Sequence, residues 1–71
     1  ILKEKIEFEI IQLPEKSREV FKAVVLENLT YKQVAERYHI SVNTVKTHYS
    51  NALRQLRQNL GKIVAFLLLF S

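Results

Sequence analysis

The sequence predicts an all-α fold, a small helical bundle of four to five helices that contains a helix-turn-helix. Three observations point there. The 71 residues include one Gly and one Pro, too little punctuation for a set of hairpins, which call for Gly and Asn at repeated tight turns. Apolar residues recur at three- and four-residue spacings through most of the chain. Hydroxyl side chains stand immediately before two of these periodic stretches, where helix N-caps belong.

The first stretch, Ile1 to Leu13, carries two periods at once. Ile6, Phe8 and Ile10 alternate with Glu7 and Glu9 as in a strand, while Leu2, Ile6 and Ile10 recur every fourth residue as in a helix. No second strand is on offer, and a lone strand cannot satisfy its backbone groups, so the expectation is helix. Pro14 suits the first turn of the next helix, where its φ is already helical and its missing N–H breaks no bond. Val20, Phe21, Val24 and Val25 then form the stripe expected to face a core, opposite Glu15, Arg18, Glu19 and Lys22, and Asn28 with Leu29 ends the segment.

Thr30 followed by Gln33 has the spacing of a capping box, and Tyr31, Val34, Ala35 and Tyr38 give a short third helix. After His39 and Ile40, Ser41 is a second N-cap. The stripe Val42, Val45, Tyr49, Ala52, Leu53, Leu56, Leu60 makes the fourth helix the longest, and Gly61 is its C-cap. A final apolar helix is expected from about Ile63 onward. The domain reading is therefore a leading helix or linker over residues 1–12 coming from an upstream domain, a helix-turn-helix domain over 13–61, and an apolar C-terminal helix over 62–71. The initial Ile1, in a chain without Met, reads as the start of a fragment, and nothing at that end resembles a signal peptide.

Composition narrows the function. The chain has no Cys, so disulfides, thiolate zinc sites and thiol nucleophiles are excluded. It also has no Asp, its seven acids are all Glu on amphipathic faces, and no Ser–His spacing builds a nucleophile–base couple, which argues against an enzyme. His39 and His48 make no recognisable metal-ligand spacing, so neither metal nor cofactor is expected. The unbroken apolar run Ile63–Phe70 is eight residues long, far short of the ~20 that span a membrane, and must find cover against protein. The formal charge of +4 is unevenly placed. Residues 1–29 hold five cations against six acids, whereas residues 30–71 hold six cations against Glu36 alone, a balance of +5 that suggests an anionic partner for the second half.

At ~100° per residue, the apolar stripe of the fourth helix leaves Asn43, Thr44, Thr47, Ser50, Asn51 and Arg54 on the opposite side, with Lys46 and Arg57 at one flank. That face is hydrogen-bonding and free of acids, as a helix laid against phosphates and base edges requires. A merely solvated helix more commonly mixes Glu with Lys. Two capped helices in tandem, the second longer and basic, describe a DNA-reading helix-turn-helix.

The runs Leu13–Phe21, Leu29–Glu36, Ile40–Lys46 and Ala52–Arg57 together resemble region 4 of sigma-70-type factors of the extracytoplasmic-function (ECF) group, over about residues 13–60. The apolar terminal run resembles the tails of such factors from Bacteroides-like bacteria. The Leu-Pro opening and the Arg-x-Val-Phe of the second helix favour sigma factors over the output domains of LuxR-type regulators, although Thr44-Val45-Lys46-Thr47-His48 would suit the latter. The resemblance implies a cytoplasmic domain without cofactors that reads the −35 element of double-stranded promoter DNA and attaches to the β-subunit flap of RNA polymerase. Carried over by position, Lys46, Thr47, Ser50 and Asn51 would reach base edges, and Thr30, Tyr31, Lys32, Thr44 and Arg54 would hold the DNA backbone. The resemblance adds an anti-sigma factor as a candidate partner, the apolar run Ile63–Phe70 itself suggests self-association, and a protein-interaction module using that tail is the competing role. The family's turn usually has glycine where His39 stands, a position that often needs positive φ.

Overall fold

The computed structural model describes residues 2–61. They form four helices, α1 (Leu2–Ile11), α2 (Glu15–Val25), α3 (Tyr31–Tyr38) and α4 (Val42–Leu60), and no strand is found among them. The expected fifth helix falls on residues 62–71, outside the described residues. The helical reading of the first stretch holds, and α1, α2 and α3 all pack on α4, which is the central element.

Side chains next to each helix explain where it begins and ends. The Gln33 N–H donates to Thr30 Oγ1 at 3.1 Å while the Thr30 N–H donates to Gln33 Oε1 at 2.9 Å, the reciprocal box expected from the spacing. Ser41 Oγ accepts from the Thr44 N–H at 3.0 Å and caps α4. Pro14 sits one position earlier than expected, at the N-cap of α2 rather than inside its first turn, with φ −53 and ψ 147. Its carbonyl still opens the ladder, accepting from the Arg18 N–H at 2.8 Å. Gly61 ends α4 with φ +82, a conformation that excludes most side chains.

The core divides into two clusters. One joins α2, α3 and the start of α4 through Val20, Ala23, Val34, Ala35 and Val45, with Leu29 and Ile40 packed against it from the two connections. The other joins α1, α2 and the rest of α4 through Leu13, Phe21, Ala52 and Leu56, with Ile10 and Leu60 at its edge. Burying a side chain such as Phe21 or Leu56 contributes about 1.5–3 kcal/mol. Tyr49 packs against both clusters, stacked 6.2 Å from Phe21 and tilted 5.9 Å from Tyr31. Burial, and secondarily the neighbouring Tyr31 phenol, push the Tyr49 hydroxyl above its ordinary range.

The buried side of α2 is rotated from the expected stripe. Val20 and Phe21 are buried, but Val25 is 38% exposed and Ala23 and Ser17 are buried instead. At ~100° per residue, Ser17, Val20, Phe21 and Ala23 lie on one arc and Val25 lies beyond its edge. Small side chains at Ser17 and Ala23 let neighbouring helices come close, a role that counting large apolar residues overlooks. Val42, the first residue of the α4 stripe, is likewise at the rim, 37% exposed.

Candidate nucleic-acid interface

Packing orients α4. Val45, Ala52 and Leu56 are buried and Tyr49, Leu53 and Leu60 are half-buried, so the opposite side of the helix is turned to solvent. Asn43, Lys46, Thr47, Ser50, Asn51, Arg54 and Arg57 are all exposed on that side, and α4 contains no acid. The structure thus brings Lys46, Thr47, Ser50 and Asn51 together on the first half of one helix, with Arg54 one turn further along.

Several of these side chains are already oriented by local bonds. Thr47 Oγ1 donates to the Asn43 carbonyl at 3.0 Å, so its methyl and the oxygen lone pairs are what it can offer to a partner. Thr44, half-buried, shares a 2.9 Å hydroxyl contact with Ser41 and also receives the cap through its N–H. Of the residues expected at the DNA backbone, Thr30 and Lys32 are exposed at the start of α3. Tyr31 is half-buried, and its ring packs on the first cluster and on Tyr49. It therefore contributes to the core while staying partly exposed at the surface.

The turn between α3 and α4 keeps the geometry that glycine would provide. His39 adopts φ 56 and ψ 45, and the N–H groups of both His39 and Ile40 reach the Ala35 carbonyl. Histidine is among the non-glycine residues enriched in this left-handed region, which is why the substitution leaves the helix exit intact.

One feature of the surface was not read from the sequence. A groove of about 620 Å³ runs between the start of α2 and α4, and in it Lys16 and His48 join Asn51 and Arg54. Lys16 and His48 are far apart in sequence and belong to different helices, so only the fold could reveal the neighbourhood. Among the described residues no three His, Cys, Asp or Glu side chains gather as a metal site would need. No described helix is long and apolar enough to cross a membrane.

A family model described as "Sigma-70, region 4" matches residues 3–56, which takes in α1 to α3 and most of α4. The chain belongs to the sigma-70 region 4 family. Region 4 is a DNA-binding domain of sigma factors, which act with RNA polymerase in transcription, and the family is not a catalytic one. The match decides between the sigma-factor and LuxR-type readings in favour of the first. Comparison with curated proteins and with solved structures gives no match.

Proposed function

We propose that this region 4 domain reads the −35 promoter element with the first half of α4, as part of a cytoplasmic ECF-group sigma factor of the kind found in Bacteroides-like bacteria, docked on the RNA polymerase β flap. The observation that carries the reading is the acid-free, exposed face of α4, presented by a helix whose opposite side is fixed in the core. Lys46 can donate to guanine O6 and N7, Asn51 can bind adenine through two bonds, and the free Thr47 methyl suits contact with a thymine methyl. Ser50 lies between them and can bond to either kind of base. Thr30, Tyr31, Lys32, Thr44 and Arg54 hold phosphates on either side, helped by the dipole of the α3 N-terminus and by those first-turn N–H groups that the Thr30–Gln33 box does not use.

Because one short helix and a few phosphate contacts offer limited area, the domain alone binds weakly and its affinity falls linearly in log salt, with a slope of about −0.9 per phosphate neutralised. Lys46→Ala and Asn51→Ala should each cost about 1–3 kcal/mol of discrimination at one base pair. Both side chains are exposed, so thermal stability should not change. Promoter-specific transcription that survives the double substitution at full strength would overturn the base-reading assignment.

A further inference from the structure

A second surface lies at the far end of α4, on the side of α1 away from the core. The two helices run antiparallel, with Asn59 Nδ2 donating to Glu9 Oε2 at 2.8 Å and Gln55 Nε2 donating to the Gln12 carbonyl at 3.3 Å. Beside Asn59 and Leu60 there is a groove of about 490 Å³, bounded on the α1 side by Glu4, Lys5, Phe8 and Glu9. Its apolar wall is Phe8, 58% exposed, and one turn further along α1 Ile11 is 63% exposed. Neither side chain belongs to the two core clusters. Singly exposed apolar residues are ordinary, but two such residues on adjoining turns beside a groove form a face that is worth covering.

The same chain supplies a segment of matching character and length. Ile63–Phe70 is an eight-residue apolar run that starts three residues after Leu60, the residue lining the groove at the end of α4. Gly61, with φ +82, turns the chain off the α4 axis at that point. As a helix the run would extend about 12 Å, and α1, at ten residues, extends about 15 Å. Charge agrees as well. Lys62 is the one charged side chain between Gly61 and Ser71, and the groove presents Glu4 and Glu9 against Lys5 alone.

We propose that Ile63–Phe70 seats intramolecularly in the groove between α1 and the end of α4, covering Phe8 and Ile11. The base-reading residues lie eight or more positions before Asn59 on α4, at least about 12 Å along its axis. The seat therefore leaves the DNA face open, and this inference stands or falls apart from the DNA reading.

The test compares the 71-residue chain with one ending at Gly61. Removing the segment should lower the thermal midpoint by roughly 5–10 °C. Phe8→Glu should lower the midpoint of the full chain by a similar amount and leave the shortened chain nearly unchanged, the non-additivity expected of groups in contact. The chain has no Trp, so Phe8→Trp gives a single reporter at the seat. Its emission should be blue-shifted in the full chain, independent of protein concentration, and should move red on truncation. If the shortened chain does not fold, Phe66→Glu with Phe70→Glu in the Phe8→Trp background carries the test, and the emission must again move red. Additive midpoint effects, an emission indifferent to the tail, or a blue emission lost on dilution would overturn the proposal, the last by showing that a second copy covers the face.

Discussion

Each of α2 and α3 is followed by one left-handed residue, at once in α3, where His39 is the C-cap, and three residues past the end of α2, after a right-handed C-cap at Leu26. Asn28 and His39 take up left-handed conformations, φ 59 and φ 56. Each is followed by an apolar residue, Leu29 or Ile40, that packs into the cluster shared by α2, α3 and α4. The N–H of that residue turns back to a carbonyl of the helix just ended, Leu29 to Ala23 at 3.1 Å and Ile40 to Ala35 at 3.0 Å. A hydroxyl N-cap, Thr30 or Ser41, then opens the next helix. What differs is slack. Five residues separate α2 from α3 but only three separate α3 from α4. The longer connection is also tied down, since Arg37 Nη1 on α3 bonds both carboxylate oxygens of Glu27, at 2.8 and 3.0 Å. This bond, above all, raises the Arg37 guanidinium further above its already high ordinary range. The pair is exposed, so it holds the loop in place more than it stabilises the fold. The three-residue connection has no such tie and no residue to spare, and so it sets the angle at which α4 leaves α3.

The largest expected effect comes from adding length. One Gly inserted after His39 changes the direction of α4 relative to α3 and to the phosphate contacts at Thr30 and Lys32. Specific DNA binding should then fall to the non-specific level, a loss of about a thousandfold or more. One Gly inserted after Leu26 lengthens a connection that already has slack, and long surface connections tolerate insertion at little cost. Its effect on the same titration, at the same salt concentration, should stay within about tenfold. Equal losses from the two insertions would break the distinction between the connections.

These connections were largely legible in the sequence because their chemistry is local. Thr30 with Gln33, and Ser41 ahead of a periodic run, declare caps through spacing alone, whereas positive φ at His39 was indicated only by the glycine that the family usually has there. The core of α2 was less legible. Ala23 is buried where α3 and α4 meet α2, and no local pattern distinguishes such an alanine, or the buried Ser17, from one facing water. The polar face of α4 could be read because its boundary is drawn by large apolar residues on the same helix. The neighbourhood of Lys16, His48 and Arg54 could not, since it is made by α2 lying across α4. Phe8 and Ile11 carried conflicting signals, being apolar residues in a helix whose core-facing period runs through Ile6 and Ile10.

A smaller effect separates the two caps. Replacing an N-cap hydroxyl by Ala typically costs about 1 kcal/mol. Thr30→Ala takes the acceptor Oγ1 from the Gln33 backbone N–H and leaves the bond from the residue-30 N–H to Gln33 Oε1 without its counterpart, so it should lower the denaturation midpoint more than Ser41→Ala. Ser41→Ala has a second consequence. It releases the Thr44 hydroxyl, now 2.9 Å from Ser41 Oγ, to bond elsewhere. Its DNA affinity should therefore change less than its stability. If Ser41→Ala proved the more destabilising, the shorter connection would depend on its cap more than its geometry suggests.

The smallest effect, and the one that can have either sign, concerns the two left-handed residues. An L-residue in this conformation costs roughly 1–2 kcal/mol relative to the right-handed one, whereas Gly adopts it freely but loses about 0.5–1 kcal/mol more chain entropy on folding. Asn relieves part of the cost through local hydrogen bonding of its short side chain, so Asn28→Gly should leave the midpoint almost unchanged. His39 lacks that short amide, and its imidazole is exposed, so little packing is lost on removing it. His39→Gly should therefore stabilise by about 0.5–1 kcal/mol, raising the thermal midpoint by roughly 2–8 °C. Because φ and ψ need not change, DNA affinity should remain the same. If His39→Gly lowered the midpoint, the imidazole would be contributing an interaction that stabilises the fold. If the midpoint rose while DNA affinity fell, stiffness at His39 would be part of how the shorter connection holds α4 in its reading position.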